Sequence, residues 1–290
     1  MTLTTPGHLT SAVIDEETAA RIALTAAGVS GDVGVAIGIR VFGTASRFLA
    51  AVHDRRDSAI PLTATARNRI VRYATAATTV QILEQTAELG LGVLAPHHAG
   101  WPGRLAAMRG AAPLLLWVSG DASLLARPSV TVTGTSTPAA DTRRVIIDVA
   151  TGLCSRGWIL VTGTQSGVDD LVLRSANAMR SPSIIVEQRG LTGAGVSGRV
   201  QMSEVPPGRE ASTTSVRRAV QVMAALGAKL ITDALTSDTE GVEVLEATRA
   251  MGRPVGIVSA ADPTPCRGAA LSSGLRLHLV KSPRDADWFH

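Results

Sequence analysis

Val130-Thr131-Val132-Thr133-Gly134-Thr135 and Ile159-Leu160-Val161-Thr162-Gly163-Thr164 decide the reading of this chain. Each is a short apolar, β-branched run that ends in Thr-Gly-Thr. A polar turn follows each, and then apolar residues at helical spacing. Strand, glycine turn, helix is the arrangement by which an α/β sheet offers backbone N–H groups to an anion. Two copies in succession predict neighbouring parallel strands whose C-terminal ends share one crevice.

Strands are expected at 114–118, 129–133, 158–162, 183–187, 200–204, 229–233, 254–258 and 276–280. Helices are expected at 138–156, 167–180, 213–226 and 239–251. Strands alternating with helices of this length predict an extended Rossmann-like α/β fold, with a mostly parallel sheet and helices on both faces. Gly157 and Gly252 are placed to end the first and last of those helices. Upstream the pattern is helical: Glu16–Ala27, then Val35–Val52 broken at Gly43, then Asn68–Leu89. Residues 1–95 therefore read as a small helical domain with its linker, and 96–290 as the Rossmann-like domain. Residues 1–12 are polar and expected to fray.

Composition narrows the class. The chain has 290 residues, 45% hydrophobic and 18% charged, enough for one sizeable core and a smaller unit. Asp15, Glu16 and Glu17 sit where a secretory signal would be apolar, and no apolar run is long enough to span a bilayer. A cytoplasmic protein is expected. Cys154 and Cys266 make no disulfide framework and read as reduced thiols. The net charge is +4, carried almost wholly by arginine, with Lys229 and Lys281 as the lysines. Guanidinium forks suit phosphate. Aromatics are 3% of residues, so base-stacking platforms are scarce and any nucleic-acid contact should rest on phosphates.

Candidate binding residues follow from the two turns: Gly134, Thr135 and Ser136 on one, Gly163, Thr164, Gln165, Ser166 and Gly167 on the next. Glycine lets backbone approach a phosphate, and the hydroxyls add donors. Tight turns without a ligand are the alternative, and Asp169 can serve simply as a helix-start acid. Gly193-Ala194-Gly195-Val196-Ser197-Gly198 spells the dinucleotide fingerprint, but Arg199-Val200-Gln201-Met202 after it reads as a strand where the fingerprint needs a helix. Ser166 is not in a nucleophile elbow and has no evident histidine base. His97-His98 lacks the spacing of a metal site. No catalytic residue, metal or cofactor is assigned. Arg217 and Arg218 are either a solvated helix face or phosphate partners at the crevice mouth.

In this order the motifs resemble the DNA-processing protein A (DprA/Smf) family, from about Ala20 to Leu279. Pro113 to Gly120 resembles its first strand, after a domain-linking segment at Leu91–Leu94 and Trp101–Leu105. Gly134-Thr135-Ser136 stands for the family's Gly-Ser-Arg. Thr162 to Asp169 stands for S-G-x-A-R-G-I-D, keeping Gly163, Gly167 and Asp169. Ser203 to Gly208 is close to S-E-Y-P-x-G, and Gly252-Arg253-Pro254-Val255 matches G-R-P-V. The chain departs from the family at Ser136 and Ser166, which replace two pocket arginines, and at Leu173, which replaces a histidine. R-N-R is reduced to Val216-Arg217-Arg218-Ala219, S-G-S lies near Thr239-Glu240-Gly241, and a late Asn is lost around Ala270. The resemblance implies a SAM or helix-hairpin-helix-like helical domain ahead of the Rossmann-like domain. It implies binding of single-stranded DNA without catalysis, loading of a RecA-type recombinase in recombination or DNA uptake, and a homodimer. Two other classes stay open. One is a nucleotide-ligand sensor on the same fold with DNA binding lost, which Ser136 and Ser166 favour. The other is an enzyme like the related phosphoribohydrolases, for which Glu240 and Glu243 offer only a loose acid.

Overall fold

In the computed structural model the described residues are 14–193, 195, 198–233, 239–258 and 277–287. Five helices come first: α1 (Glu16–Ala26), α2 (Val33–Phe42), α3 (Ala45–His53), α4 (Ala64–Tyr73) and α5 (Ala76–Glu88). Each starts on a side-chain cap, from Asp15, Asp32, Thr44, Thr63 and Thr75 in turn. Such a cap satisfies one of the orphan N–H groups at a helix start. Caps explain the two breaks. Gly43, at φ 85, ends α2, and Thr44 caps α3. The continuous helix expected over 68–89 is two, because Thr75 takes extended backbone and accepts from Thr78 N at 3.2 Å.

The sheet has nine strands: β1 (Gly92–Leu94), β2 (Leu116–Gly120), β3 (Ser129–Val132), β4 (Ile159–Thr162), β5 (Ser183–Glu187), β6 (Arg199–Ser203), β7 (Leu230–Thr232), β8 (Val255–Val258) and β9 (Leu277–Val280). Their order is β1-β2-β6-β5-β4-β3-β7-β8-β9. From β6 to β9 every pairing is parallel; β1 and β2 add an antiparallel edge. The mixed α/β architecture is the one expected, and all eight expected strands are present to within two residues at either end. The three-residue β1 was not expected as a strand. β6 follows Gly198, so the fingerprint string leads into a strand.

Alternation along the strands sorts helices onto both faces. Leu160, with Val130 and Val132, faces α6 (Ala140–Ser155) and α7 (Val168–Ala178). Ile159 and Val161 face the other way, onto α8 (Thr213–Leu226) and α9 (Thr239–Ala250). The helices α1–α5 do not stand apart from this body. Ile22 and Ile82 share a buried cluster with Leu115, Trp117 and Leu191. The Trp117 indole donates to Thr86 Oγ1 at 3.1 Å across that seam, and Arg21 donates to the Leu114 carbonyl at 3.1 Å. Among the described residues no single helix is long and apolar enough to cross a membrane. Cys154 is buried on α6, and Cys266 lies outside the described residues.

Trp117 is fully buried, so its N–H has no water to turn to if the hydroxyl is lost. Thr86→Val, close in shape, is expected to lower unfolding free energy by about 1–3 kcal/mol, the cost of a buried unsatisfied donor. Denaturant unfolding measures it. Adding Trp117→Phe to the variant should remove most of that coupling.

Candidate functional site

The Thr-Gly-Thr turns do lie side by side, because β3 and β4 pair in parallel with Ser129 opposite Ile159. A single buried carboxylate joins them. Asp169 accepts from Thr133 Oγ1 at 2.8 Å, from Thr162 Oγ1 at 2.9 Å and from Gln165 N at 3.2 Å. The next loop closes on the first: Val168 N donates to the Thr135 carbonyl at 3.1 Å. The glycines are explained by these contacts. Gly167 has φ 82, and a Cβ there would strike the backbone of Thr135 and Ser136. A Cβ on Gly163 would meet the Asp169 carboxylate, and one on Gly134 would meet Asp233. The turns need glycine to fold, whatever they bind.

Chain order reverses between β3 and β7, and in open α/β sheets ligands bind outside the strand ends at such a switch point. There Asp233, just after β7, accepts from Thr135 N at 2.8 Å and Thr135 Oγ1 at 2.9 Å. On the other flank Thr164 Oγ1 donates to Glu187 Oε2 at 3.3 Å. The crevice is thus bordered by Asp233 and Glu187, neither of which spacing alone would pick out. The hydroxyl-bearing Ser136 and Ser166 are exposed at its lip. Burial pushes the Glu187 carboxyl up, against the Thr164 bond and the Arg189 charge that pull it down.

The two arginines lie apart from these turns in role. Arg218 is largely buried and bonds Glu204 through two nitrogens, at 2.9 and 2.7 Å, and the Ala111 carbonyl at 2.7 Å. Glu204 also accepts from Ser30, whose oxygen takes Leu114 N at 3.2 Å. Arg218 is therefore a clamp between α8, the end of β6 and the α1–α2 turn. Arg217 is exposed and pairs with Glu243 of α9 at 2.9 Å. That pairing occupies the acid on which a phosphoribohydrolase-like reading would lean. Ala270 and the side chain of Glu240 lie outside the described residues.

One cluster has metal-ligand character despite its spacing. Asp15, His97 and His98 bring donor atoms within 4.8 Å of one another. His98 Nδ1, however, accepts from Ala95 N at 3.2 Å, so the neutral ring carries its proton on Nε2, facing Asp15 and Thr18. The bonds use His98 as a donor, and the cluster fastens the N-cap of α1 to the loop after β1. Burial raises the Asp15 carboxyl, but the Thr18 and His97 bonds overcome it and hold it well below the usual carboxylate range.

Residues 92–195 match the model of the DNA recombination-mediator protein A family. That span holds β1 to β5, both Thr-Gly-Thr turns and Asp169. Over that span, about a third of its length, the chain is similar to that family. Its relative DprA of Bacillus subtilis is 32% identical over 60 residues, and that match spans only 20% of each chain. The DprA structure from Streptococcus pneumoniae shares the fold at a TM-score of 0.75 and 18% identity, covering 96% of this chain and 99% of that one. A DprA structure from Helicobacter pylori, described for its single-stranded DNA binding mode, gives a TM-score of 0.54 at 17% identity, covering 64% of this chain and 90% of that one.

Two outcomes follow. Asp169→Ala strands the Thr133 and Thr162 hydroxyls in a buried site and should lower stability by on the order of 3 kcal/mol, read by denaturant unfolding without any ligand. Glu187, with its pKa raised by folding, gives stability that is full below its unfolded value and declines as pH rises through the folded one. Glu187→Gln should flatten that decline across the upper carboxylate range, seen as melting temperature against pH.

Proposed function

We propose that this DprA-family chain is a non-enzymatic, cytoplasmic protein that binds single-stranded DNA and assists recombination or DNA uptake by helping to load a RecA-type recombinase. The observation that supports this most is the placement of the family match: it covers the paired turns and the carboxylate that joins them. In this reading Gly134, Thr135, Ser136, Gly163, Thr164, Gln165, Ser166 and Gly167 form the strand-end contact surface, with hydroxyls and backbone N–H groups replacing guanidinium forks. Arg217 supplies exposed charge. Arg218 acts by holding the frame. The protein works as a homodimer, which light scattering would show as twice the chain mass.

A second reading is favoured by the carboxylates at the crevice. Asp233 and Glu187 repel a polyanion and accept hydroxyl donors. A nucleotide-ligand sensor, with DNA binding lost, accounts for them.

Titration with labelled oligo-dT and with a nucleotide panel separates the two. The DNA reading expects saturable oligonucleotide binding whose log affinity falls linearly with log salt. Arg217→Ala should flatten that slope by roughly one unit if the side chain leaves Glu243 for a phosphate. Nucleotide binding without oligonucleotide binding would select the sensor. Arg218→Ala is unsuited to this test, because removing one partner of a buried pair costs about 3–5 kcal/mol.

A further inference from the structure

A cavity of about 450 Å³ lies where the helices α1–α5 meet the α/β unit. That is within the range of roughly 300–1,000 Å³ typical of small-ligand pockets. It touches the paired turns only through Glu187, and its other walls are its own. Two arginines line it, one from each unit: Arg69 of α4, and Arg209 of the turn after β6.

The turn Gly28–Gly31 seats two guanidiniums in the same way. Gly28, at φ 67, has no side chain, and the Arg69 guanidinium lies where a Cβ would be. Gly31, at φ 78, holds Arg218 likewise. Arg218 is neutralised by Glu204. Arg69 and Arg209 are exposed, and neither has an ion-pair partner among the described residues. The fold thus fixes one guanidinium over a glycine and leaves its charge unspent beside a cavity. Glu187 and Glu210 are acids of the cavity with no ion pair among the described residues; Glu210 is exposed, and Glu187 is half-buried and feels the charge of Arg189.

We propose that this cavity binds a small phosphomonoester with free hydroxyls, of the nucleotide or sugar-phosphate kind, gripped by Arg69 from the helical segment and Arg209 from the α/β unit, with Glu187 accepting from a hydroxyl. Planar guanidiniums match phosphate oxygens with two parallel bonds, and a carboxylate accepts from a hydroxyl but not from an ester oxygen. The ligand bridges the helical segment and the α/β unit, and this holds whether or not the paired turns bind DNA. A phosphomonoester can be free or can be the 5′ end of a strand, and the chemistry at the arginines is the same.

The test is calorimetry on the whole chain with AMP, ribose 5-phosphate and adenosine. AMP and ribose 5-phosphate should bind saturably and adenosine at least about tenfold more weakly, the loss expected for charge-assisted bonds. Arg69→Ala and Arg209→Ala should each weaken AMP by about tenfold or more, while Arg174→Ala, on the exposed face of α7, should leave it unchanged. Circular dichroism confirms that the variants fold. Comparing 5′-phosphorylated with 5′-hydroxyl oligo-dT identifies the source: a preference that Arg69→Ala erases marks a strand end. Loss of AMP binding with oligo-dT binding retained keeps this site separate from the DNA reading. No binding of any phosphorylated probe, or AMP binding that survives both arginine substitutions, would overturn the proposal.

Discussion

Everything at the C-terminal edge of the sheet hangs on one buried carboxylate. Asp169 is 2% exposed, yet it takes a hydroxyl from the end of β3, a hydroxyl from the end of β4 and a backbone N–H from the loop between β4 and α7. A charge removed from water in this way is tolerated only where bonds replace its hydration. The threonines supply them, and in doing so fix the two strand ends and the start of α7 as one piece. Gly163 then has to lack a side chain because the carboxylate occupies its space.

That arrangement recasts what the repeated Thr-Gly-Thr means. A glycine between two threonines suggests a surface kept open for a ligand. The outer threonine of each turn does face the crevice, but the inner one points at Asp169. The motif is first a device for joining adjacent strands, and the crevice is what remains above it. Its flanking acids, Asp233 and Glu187, accept the hydroxyls of the outer threonines, Thr135 and Thr164.

The parts legible in the sequence were those set by local pattern. Val130, Val132, Ile159 and Val161 announce strands because buried parallel strands are continuously apolar. Helices α6 to α9 follow from apolar spacing. β1 is three residues long and begins with Gly92, too short to show a period. Thr75 looks like any polar residue within a helix until its backbone turns extended and it becomes a cap. The crevice acids could not be read at all, since Asp233 meets Thr135 only after the chain has doubled back through β7. Arg218 was legible as a charge near the site. Its burial against Glu204 depends on how α8 lies on the end of β6, and no sequence period encodes that.

The latch at Ser30 has a temporal side. Ser30 reaches Glu204, which Arg218 completes, so a contact of the α1–α2 turn waits on residues far along the chain. As the polypeptide emerges from the ribosome, α1–α5 can pack Leu24, Phe48 and Ile70 among themselves. Ile22 and Ile82 must stay uncovered until Leu115 and Trp117 arrive, and the seam stays unlocked until α8 is made. Non-local closure of this kind comes late and leaves apolar surface exposed meanwhile. The nascent helical segment therefore carries uncovered apolar surface until the strands that seat it have been made.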